Sequence, residues 1–452
     1  MKVNLSFASD NIFSGNLKNF LKLTIDVSED KKKHIKKSTK PVFLIPVIDR
    51  SGSMSSPASR QRIQDSPVLF NDSVVTCNSI SSASSFTYTN SLRGSYHVSK
   101  LDCALSATCE LLDLLNEGDK FAVVSFDDGI RVEQQPITVS NKNRNEVKSN
   151  INRIRTGGCT NISGALETAA DLFTSADTEK YNCKIVLLSD GCANVGLDTE
   201  KQFIEFMPKI LNRSISTSSI GLGDDYDLGI MEAISGNCAG SFNHISDALA
   251  IKDIFATELK SAQAIVCKDA IVNIKLPDMV AFKPNYNNYN EEIQKDNICI
   301  KLGNLYSNKT IYYEFSVLGE ELKEVEVAVS VTYETPDGGK NTATMSRKLP
   351  IVTKKEDLVE NKDVIDEIMA TVKDRYVYNA SKAYSTADYE GASLSFAESA
   401  ATINSMTACY SCCASTAMDE ITATQASLTS SSTSQDCLRK AFDNSSKKLR
   451  NS

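Results

Sequence analysis

The sequence predicts an α/β fold, in which a doubly wound, mostly parallel, Rossmann-like sheet is joined by a β-sandwich domain and a C-terminal helical segment. Two apolar runs, 42–48 and 185–189, have the length and β-branched content of buried parallel strands. Residues 1–30 and 265–352 instead alternate apolar and polar side chains between turn residues, which is typical of antiparallel strands. From residue 361 onward, apolar side chains recur at helical spacing.

Oxygen-bearing side chains follow the first apolar run. Asp49, Ser51 and Ser53 stand at alternate positions around Gly52, so in an extended loop they point in the same direction. One carboxylate and two hydroxyls suit a hard divalent cation, Mg²⁺ above all. Taken alone, however, the pattern favours a strand followed by a Ser/Gly turn, with Asp49 capping the next helix.

Two later segments add oxygen ligands to this end of the predicted sheet. Thr160 lies in a Gly-Gly-Cys-Thr-Asn-Ile loop that opens into an amphipathic helix, and Asp190 directly follows the second buried strand. In an open α/β sheet, such loops meet in the crevice beyond the carboxyl ends of the strands. The three segments are therefore expected to form one oxygen-rich site.

Together these segments resemble the von Willebrand factor type A (VWA) family. The metal-ion-dependent adhesion site (MIDAS) motif of that family, Asp-x-Ser-x-Ser with a distant Thr and a distant Asp, is matched by Asp49, Ser51, Ser53, Thr160 and Asp190. The surrounding residues match as well: Asp-Arg-Ser-Gly-Ser-Met, Gly-Gly-Cys-Thr-Asn and Leu-Ser-Asp-Gly. The chain is similar to bacterial and inter-α-trypsin-inhibitor-like members. The resemblance implies a bound Mg²⁺, with Mn²⁺ or Ca²⁺ as alternatives, and no other cofactor.

The resemblance also implies a function in protein binding. The open position on the cation would take an Asp or Glu carboxylate from a partner protein, without covalent chemistry. The alternative is a structural scaffold or assembly factor, working with a partner such as an AAA+ ATPase, in which the metal only stabilises loops. Substituting Asp49 separates the two, since a scaffold would lose stability but keep its partner.

An enzyme is the third class of function. His34, His97 and His244 lie outside all three motifs, and they form no Ser–His–Asp or Cys–His arrangement that the sequence identifies. Asp127 and Asp224 are conceivable general bases for a metal-bound water. We predict no enzymatic activity and no catalytic residues.

Composition excludes several further classes of protein. The chain has 452 residues, enough for about three domains. Its net charge of −8 argues against a nucleic-acid partner. No apolar run has membrane-spanning length, and the first ten residues lack the apolar region of a secretory signal. Thirteen cysteines, an odd number, are expected to be free thiols in a reducing compartment. The predicted location is the cytoplasm.

The patterns predict five regions. Residues 1–40 contribute strands to the β-sandwich and end in a basic linker, 41–263 form the VWA domain, and 264–354 form the rest of the sandwich. A helical hairpin over 355–407 precedes a Ser/Thr-rich tail, 408–452, with one late helix at 437–449. The VWA domain would thus be inserted into the sandwich, and its first helix would start near Ser99. Residues 55–98 form a Ser-rich insertion, either a tolerated surface loop or a partner-selecting one. The Cys409–Cys413 cluster lacks a second ligand pair for zinc.

Overall fold

A computed structural model describes residues 1–14, 18–27, 40–58, 98–236, 240–275, 279–287, 289, 291–294, 297–318, 322–335, 338–410, 415–429 and 435–451. The strands are β1 (Lys2–Phe7), β2 (Ile12–Phe13), β3 (Asn19–Asp26), β4 (Val42–Asp49), β5 (Lys120–Phe126), β6 (Ile130–Thr138), β7 (Asn182–Ser189), β8 (Ser216–Leu222), β9 (Phe242–Ile245), β10 (Cys267–Lys275), β11 (Val280–Phe282), β12 (Glu291–Ile293), β13 (Asn297–Leu305), β14 (Lys309–Val317), β15 (Glu324–Glu334) and β16 (Lys340–Val352).

The α-helices are α1 (Lys100–Leu114), α2 (Arg144–Ile151), α3 (Ile162–Asp171), α4 (Ser175–Lys180), α5 (Glu200–Leu211), α6 (Leu228–Gly236), α7 (Ile251–Gln263), α8 (Lys362–Ser385), α9 (Tyr389–Cys409), α10 (Ser415–Thr429) and α11 (Gln435–Asn451). Short 3₁₀ helices cover Gly52–Ser55, Ala248–Ala250 and Lys355–Asp357. None of the helices in the described part of the chain combines the length and the apolarity needed to cross a lipid bilayer.

A six-stranded sheet carries the motif residues. Its strand order is β6-β5-β4-β7-β8-β9, and every neighbouring pair is parallel except β5 with β6. Helices α3, α5 and α6 pack on one face, and α1, α2 and α7 pack on the other. Because both faces are covered, every residue of β4 and β7 is buried. The doubly wound, mostly parallel sheet expected from the apolar runs is therefore present.

The remaining strands form two further sheets, with orders β1-β3-β14-β11 and β12-β13-β10-β15-β16-β2. Side chains from both sheets, such as Leu23 and Val272, belong to one hydrophobic cluster. Strand β3 pairs with β14 in a register that sets Leu23 opposite Ile311. The segment that folds into the parallel sheet thus lies, along the chain, between β3 of one of these sheets and β10 of the other.

The structure adds one strand and corrects one expectation. Strand β16 lies within 265–352 but has little apolar alternation of its own, because most of its side chains are polar and exposed; its pairing with β15 holds it in place. The tail was expected to hold one late helix, but both α10 and α11 are described there. Helix α10 is rich in Ser, Thr and Ala and has little apolar periodicity. The predictions for the linker with His34, for insertion residues 59–97 with His97, and for Cys412 and Cys413 lie outside the described residues.

Helix α11 joins the core of the parallel sheet. Its Phe442 is completely buried, with its ring 5.7 Å from that of Phe242 on β9 and 4.4 Å from that of Tyr378 on α8. Arg439, one turn earlier, stacks over the ring of Tyr226 at 4.2 Å. Helix α11, together with Tyr378 of α8, is therefore packed against the edge of the sheet that ends in β9.

Candidate functional site

Asp49 is the last residue of β4 and is completely buried. Its Oδ1 accepts a hydrogen bond of 2.8 Å from the backbone N–H of Ser51, and its Oδ2 accepts one of 2.5 Å from Oγ of Ser189. Ser189 ends β7, the parallel neighbour of β4, so both carboxyl ends meet at one edge. The Asp49 carboxylate is therefore held in a single orientation by the two strands that flank the site.

The two serines of the first motif connect Asp49 with Asp190. Oγ of Ser51 lies 3.1 Å from Oγ of Ser53, and Ser53 Oγ donates a 2.6 Å hydrogen bond to Oδ1 of Asp190. Ser51 and Asp190 are buried, whereas Ser53 is exposed. The chain of oxygens thus runs from the interior to the surface and is open to solvent at Ser53.

Thr160 reaches the same place from the loop before α3. The point where a Cβ atom on Gly191 would lie is 3.5 Å from Oγ1 of Thr160 and 3.6 Å from Oγ of Ser53. The backbone N–H of Thr160 donates to Oδ1 of Asn194 at 2.7 Å, and the N–H of Asn194 donates back to the Thr160 carbonyl at 3.1 Å. This reciprocal pair fixes the Thr160 loop to the loop that carries Asp190. The structure therefore brings all five predicted residues together.

An ion pair braces the first motif against the Thr160 loop. Nη2 of Arg50 lies 2.7 Å from Oδ1 of Asp127, and both side chains are 8% exposed. The N–H of Gly157 donates to the Arg50 carbonyl at 2.7 Å, and the N–H of Gly158 donates to Oδ2 of Asp127 at 3.2 Å. Burial raises the pKa of Asp127, but hydrogen bonds from Gly129 and Gly158 and the Arg50 charge outweigh it and hold the pKa below its usual value.

A lysine also enters the site. Nζ of Lys100, the first residue of α1, lies 2.7 Å from Oδ2 of Asp190. The MIDAS motif does not include this residue, and in the sequence it is separated from Ser53 by the Ser-rich segment. Arg50, Ser189 and Asn194 were likewise not predicted to have roles. Arg50 and Ser189 stand inside the motif segments, but their partners are set by the packing of neighbouring loops.

The donor set fits a hard divalent cation. The five side chains offer only oxygen atoms, namely two carboxylates and three hydroxyls, which are the ligand types that Mg²⁺ takes. Burial raises the pKa of Asp49 to about 6, and the nearby charge of Asp190 also raises it, whereas hydrogen bonds from Ser189 and Ser51 lower it. A cation beside these two carboxylates would relieve their repulsion. Within the described residues, no group of three or more His, Cys, Asp or Glu side chains is arranged to hold a metal.

The residues considered for catalysis have other partners. Nδ1 of His244 lies 2.8 Å from the hydroxyl of Tyr226. The carboxylate of Asp127 is paired with the guanidinium of Arg50 at 2.7 Å. A carboxylate such as Asp127, which is paired with a guanidinium and has a lowered pKa, is poorly suited to act as a general base.

Comparison with known proteins finds a domain family that matches part of the chain. A sequence model of the von Willebrand factor type A domain matches residues 88–193, a range that contains Thr160 and Asp190 and begins after the first motif. The Escherichia coli (strain K12) protein YfbK is 25% identical over 166 residues, which are 36% of this chain and 28% of YfbK. Inter-alpha-trypsin inhibitor heavy chain H4 of Bos taurus is 29% identical over 173 residues, 36% of this chain and 19% of the heavy chain. The matches therefore span less than a third of either relative.

A solved structure shares the fold over most of its length. A von Willebrand factor type A protein from Catenulispora acidiphila has a TM-score of 0.64 to this chain, at 13% identity, covering 94% of this chain and 89% of that one. At this identity the likeness concerns the fold alone. The sequence matches and the parallel sheet agree with the resemblance to the VWA family that the three motif segments indicated. The chain therefore contains a von Willebrand factor type A domain, a protein-interaction module.

Proposed function

We propose that the protein binds a partner protein through a divalent cation, Mg²⁺ in the first place. Asp49, Ser51, Ser53, Thr160 and Asp190 would hold the cation, directly or through water. When bound, the cation supplies a positive centre to which an Asp or Glu carboxylate of the partner attaches. The observation that carries the proposal is the convergence of these five oxygen-bearing side chains at one end of the parallel sheet.

The burial of the site supports a single direction of approach. Asp49 and Asp190 are completely buried, and Ser53 is exposed. A cation such as Mg²⁺ needs roughly six oxygen ligands. The buried carboxylates of Asp49 and Asp190 occupy the side of the site that faces the protein interior. A partner carboxylate would therefore reach the cation from the side of Ser53, where the three loops leave the site open.

The second candidate is a scaffold or assembly factor, with an AAA+ ATPase as one conceivable partner, in which the site only stabilises loops. One observation favours it: Asp49 already accepts hydrogen bonds from Ser51 and Ser189 and so ties two strand ends together without a metal. Such a protein would keep its partner when the metal is removed. The two proposals thus differ in whether partner capture depends on the cation.

The test is capture of a partner from an extract of the source organism, in Mg²⁺ and in chelator, with two matched serine variants. Ser53→Ala removes an exposed hydroxyl that faces Asp190. Ser55→Ala removes a hydroxyl of the same 3₁₀ helix that donates to the carbonyl of Gly52 instead. We expect capture by wild type and by Ser55→Ala in Mg²⁺, and loss with chelator or with Ser53→Ala. Equal capture in all samples would refute metal bridging and favour the scaffold.

The same experiment needs a readout of the metal itself. Titration with Mn²⁺, followed by the electron paramagnetic resonance signal of the free ion, should show one site in wild type and in Ser55→Ala. Asp49→Ala and Ser53→Ala should lose it. Thermal melting in chelator separates loss of binding from loss of folding, which matters for Asp49 because its side chain is buried.

We further propose the domain organisation and the location. The two antiparallel sheets would form a β-sandwich domain, with the type A domain of residues 41–263 inserted into it and the helices from 355 onward following it. The eight cysteines whose side chains the structure describes are free thiols, with Cys103, Cys183 and Cys267 buried. This pattern supports a reducing compartment such as the cytoplasm.

A further inference from the structure

Lys100 forms a shielded ion pair with one of the proposed metal-holding residues. Its Nζ is 2.7 Å from Oδ2 of Asp190, and the two side chains are 14% and 0% exposed. On its other side, Nζ lies 3.4 Å from the point where a Cβ of Gly223 would be. Because so little of the pair faces solvent, its electrostatic effect is stronger than that of a surface ion pair.

The backbone around Lys100 is tied to the first metal loop. Ser99 caps α1, with its side chain accepting from the N–H of Asp102, and the Asp102 carboxylate accepting in return. The N–H of Lys100 donates to the carbonyl of Ser56 at 2.9 Å, and Pro57 and Ser99 form an isolated β-bridge. These contacts hold the lysine at the site from a position far along the chain.

The ion pair between Lys100 and Asp190 changes the net charge of the site. Asp49, Asp190 and Lys100 together carry one net negative charge, and the neighbouring Arg50 and Asp127 neutralise each other. A divalent cation would convert the site to one net positive charge. Without the lysine, the loaded site would be neutral. The net positive charge of the loaded site, which would attract a partner carboxylate, therefore comes from Lys100.

The oxygens of Asp190 are already divided between two partners. Oδ1 accepts from Ser53, and Oδ2 faces Lys100. A cation would thus interact with Asp190 mainly through the Ser53 hydroxyl, and the ammonium group of Lys100 would repel it. Both effects weaken the hold of the protein on the metal, and both leave more of the positive charge available to an added anion.

We propose that Lys100 is the residue that sets the ligand preference of this site. It lowers affinity for the cation and raises affinity of the loaded site for a carboxylate. This inference rests on the proposed metal-dependent function. It predicts opposite changes in two binding constants when the lysine charge is removed, which a purely structural lysine would not produce.

The test uses the full chain and three variants. Lys100→Met removes the charge and keeps an unbranched apolar stem, and Lys100→Arg keeps the charge. Lys148→Met is the matched control, because Lys148 pairs with Asp113 on the exposed side of α1. Near-ultraviolet circular dichroism and melting in chelator establish that each variant is folded.

The first measurement is titration with Mn²⁺ alone. We expect Lys100→Met to bind Mn²⁺ about tenfold more tightly than wild type, since a like charge next to the cation is removed. Lys100→Arg and Lys148→Met should stay within about twofold of wild type. Equal affinity in Lys100→Met and wild type would overturn the inference.

The second measurement is displacement of Mn²⁺-bound water by acetate at saturating Mn²⁺, followed by water-proton relaxation. The acetate concentration for half displacement should rise about tenfold in Lys100→Met, because the loaded site has lost its net positive charge. An unchanged or lower value would overturn the inference. If no protein binds Mn²⁺, the proposed function falls together with this inference. If wild type binds Mn²⁺ and Ser53→Ala does not, while Lys100→Met matches wild type, only the inference falls.

Discussion

A buried ion pair fastens the last helix of the type A domain to its sheet. Nζ of Lys184 on β7 lies 2.6 Å from Oε2 of Glu258 on α7, and each side chain is 5% exposed. Glu258 also accepts hydrogen bonds from Ser218 at 2.7 Å and from Ser241. One carboxylate thus connects α7 with two strands, β7 and β8, and with the residue that precedes β9. We predict that Glu258→Ala is among the most destabilising single substitutions in this domain.

The magnitude follows from what the substitution leaves behind. Lys184 would keep a 3.0 Å contact to Oγ of Ser261 but would lose its counter-charge inside the protein. Removing one partner of a buried ion pair costs about 3–5 kcal/mol of unfolding free energy. Replacing both partners by apolar residues avoids the unpaired charge, so Lys184→Met with Glu258→Leu should cost roughly 2 kcal/mol less than Glu258→Ala alone.

Urea unfolding followed by far-ultraviolet circular dichroism measures these differences, since the chain has no tryptophan to serve as a fluorescent probe. The matched control is Asp113→Ala, which breaks the exposed pair with Lys148 and should cost less than about 1 kcal/mol. A Glu258→Ala protein within about 1 kcal/mol of wild type would refute the reasoning, as the network would then carry no net free energy.

The same carboxylate predicts a pH dependence. Burial raises the pKa of Glu258, but the charge of Lys184 and the hydrogen bonds from Lys184, Ser241 and Ser218 outweigh it, so the pKa is lowered. A lowered folded-state pKa means that the stabilisation is complete above the ordinary pKa of about 4.3. It is lost as the pH falls through the lower folded-state value. Glu258→Ala should therefore flatten the dependence of unfolding free energy on pH below about 5.

Three further predictions concern the site and the core. Gly157→Ala would place a Cβ atom 1.8 Å from Oδ2 of the buried Asp127, so this variant should abolish Mn²⁺ binding. In Gly52→Ala the atom nearest to the new Cβ is 3.7 Å away, so this variant should bind Mn²⁺ like wild type. Equal binding by both variants would contradict this prediction. Phe442→Ala should cost about 3–5 kcal/mol in urea unfolding, since its ring is completely buried, and a loss below about 1 kcal/mol would show that α11 is not part of the core. Burial raises the pKa of the Cys183 thiol to about 12, so mass spectrometry after brief iodoacetamide treatment should find it alkylated in urea and unmodified in the native protein.

The proximity of the five motif residues could be predicted because it depends on local pattern and on a general rule of topology. The apolar runs that end at Asp49 and Asp190 identify parallel strands, and the carboxyl ends of such strands meet at one edge. Ser51, Ser53 and Thr160 lie within a few residues of a strand end or a helix start. Short-range chain geometry thus carried the prediction, and the structure places their side chains together.

Elements with weak apolar patterns were not predictable in the same way. Strand β16 has few buried side chains and is held by backbone pairing with β15, which lies elsewhere in the chain. Helix α10 lacks an apolar face strong enough to recognise. In both cases the information that decides the structure resides in the partner element and not in the segment itself.

The sequence by itself determined the type of fold and the oxygen-rich end of its sheet, because both depend on short segments of the chain. What only the tertiary structure decided is the electrostatics of that end. Lys100 meets Asp190, and Arg50 meets Asp127, because α1 and the Gly157 loop pack against the first motif. Charges act through space over a few ångströms, so the state of a carboxylate depends on neighbours that are distant in the sequence.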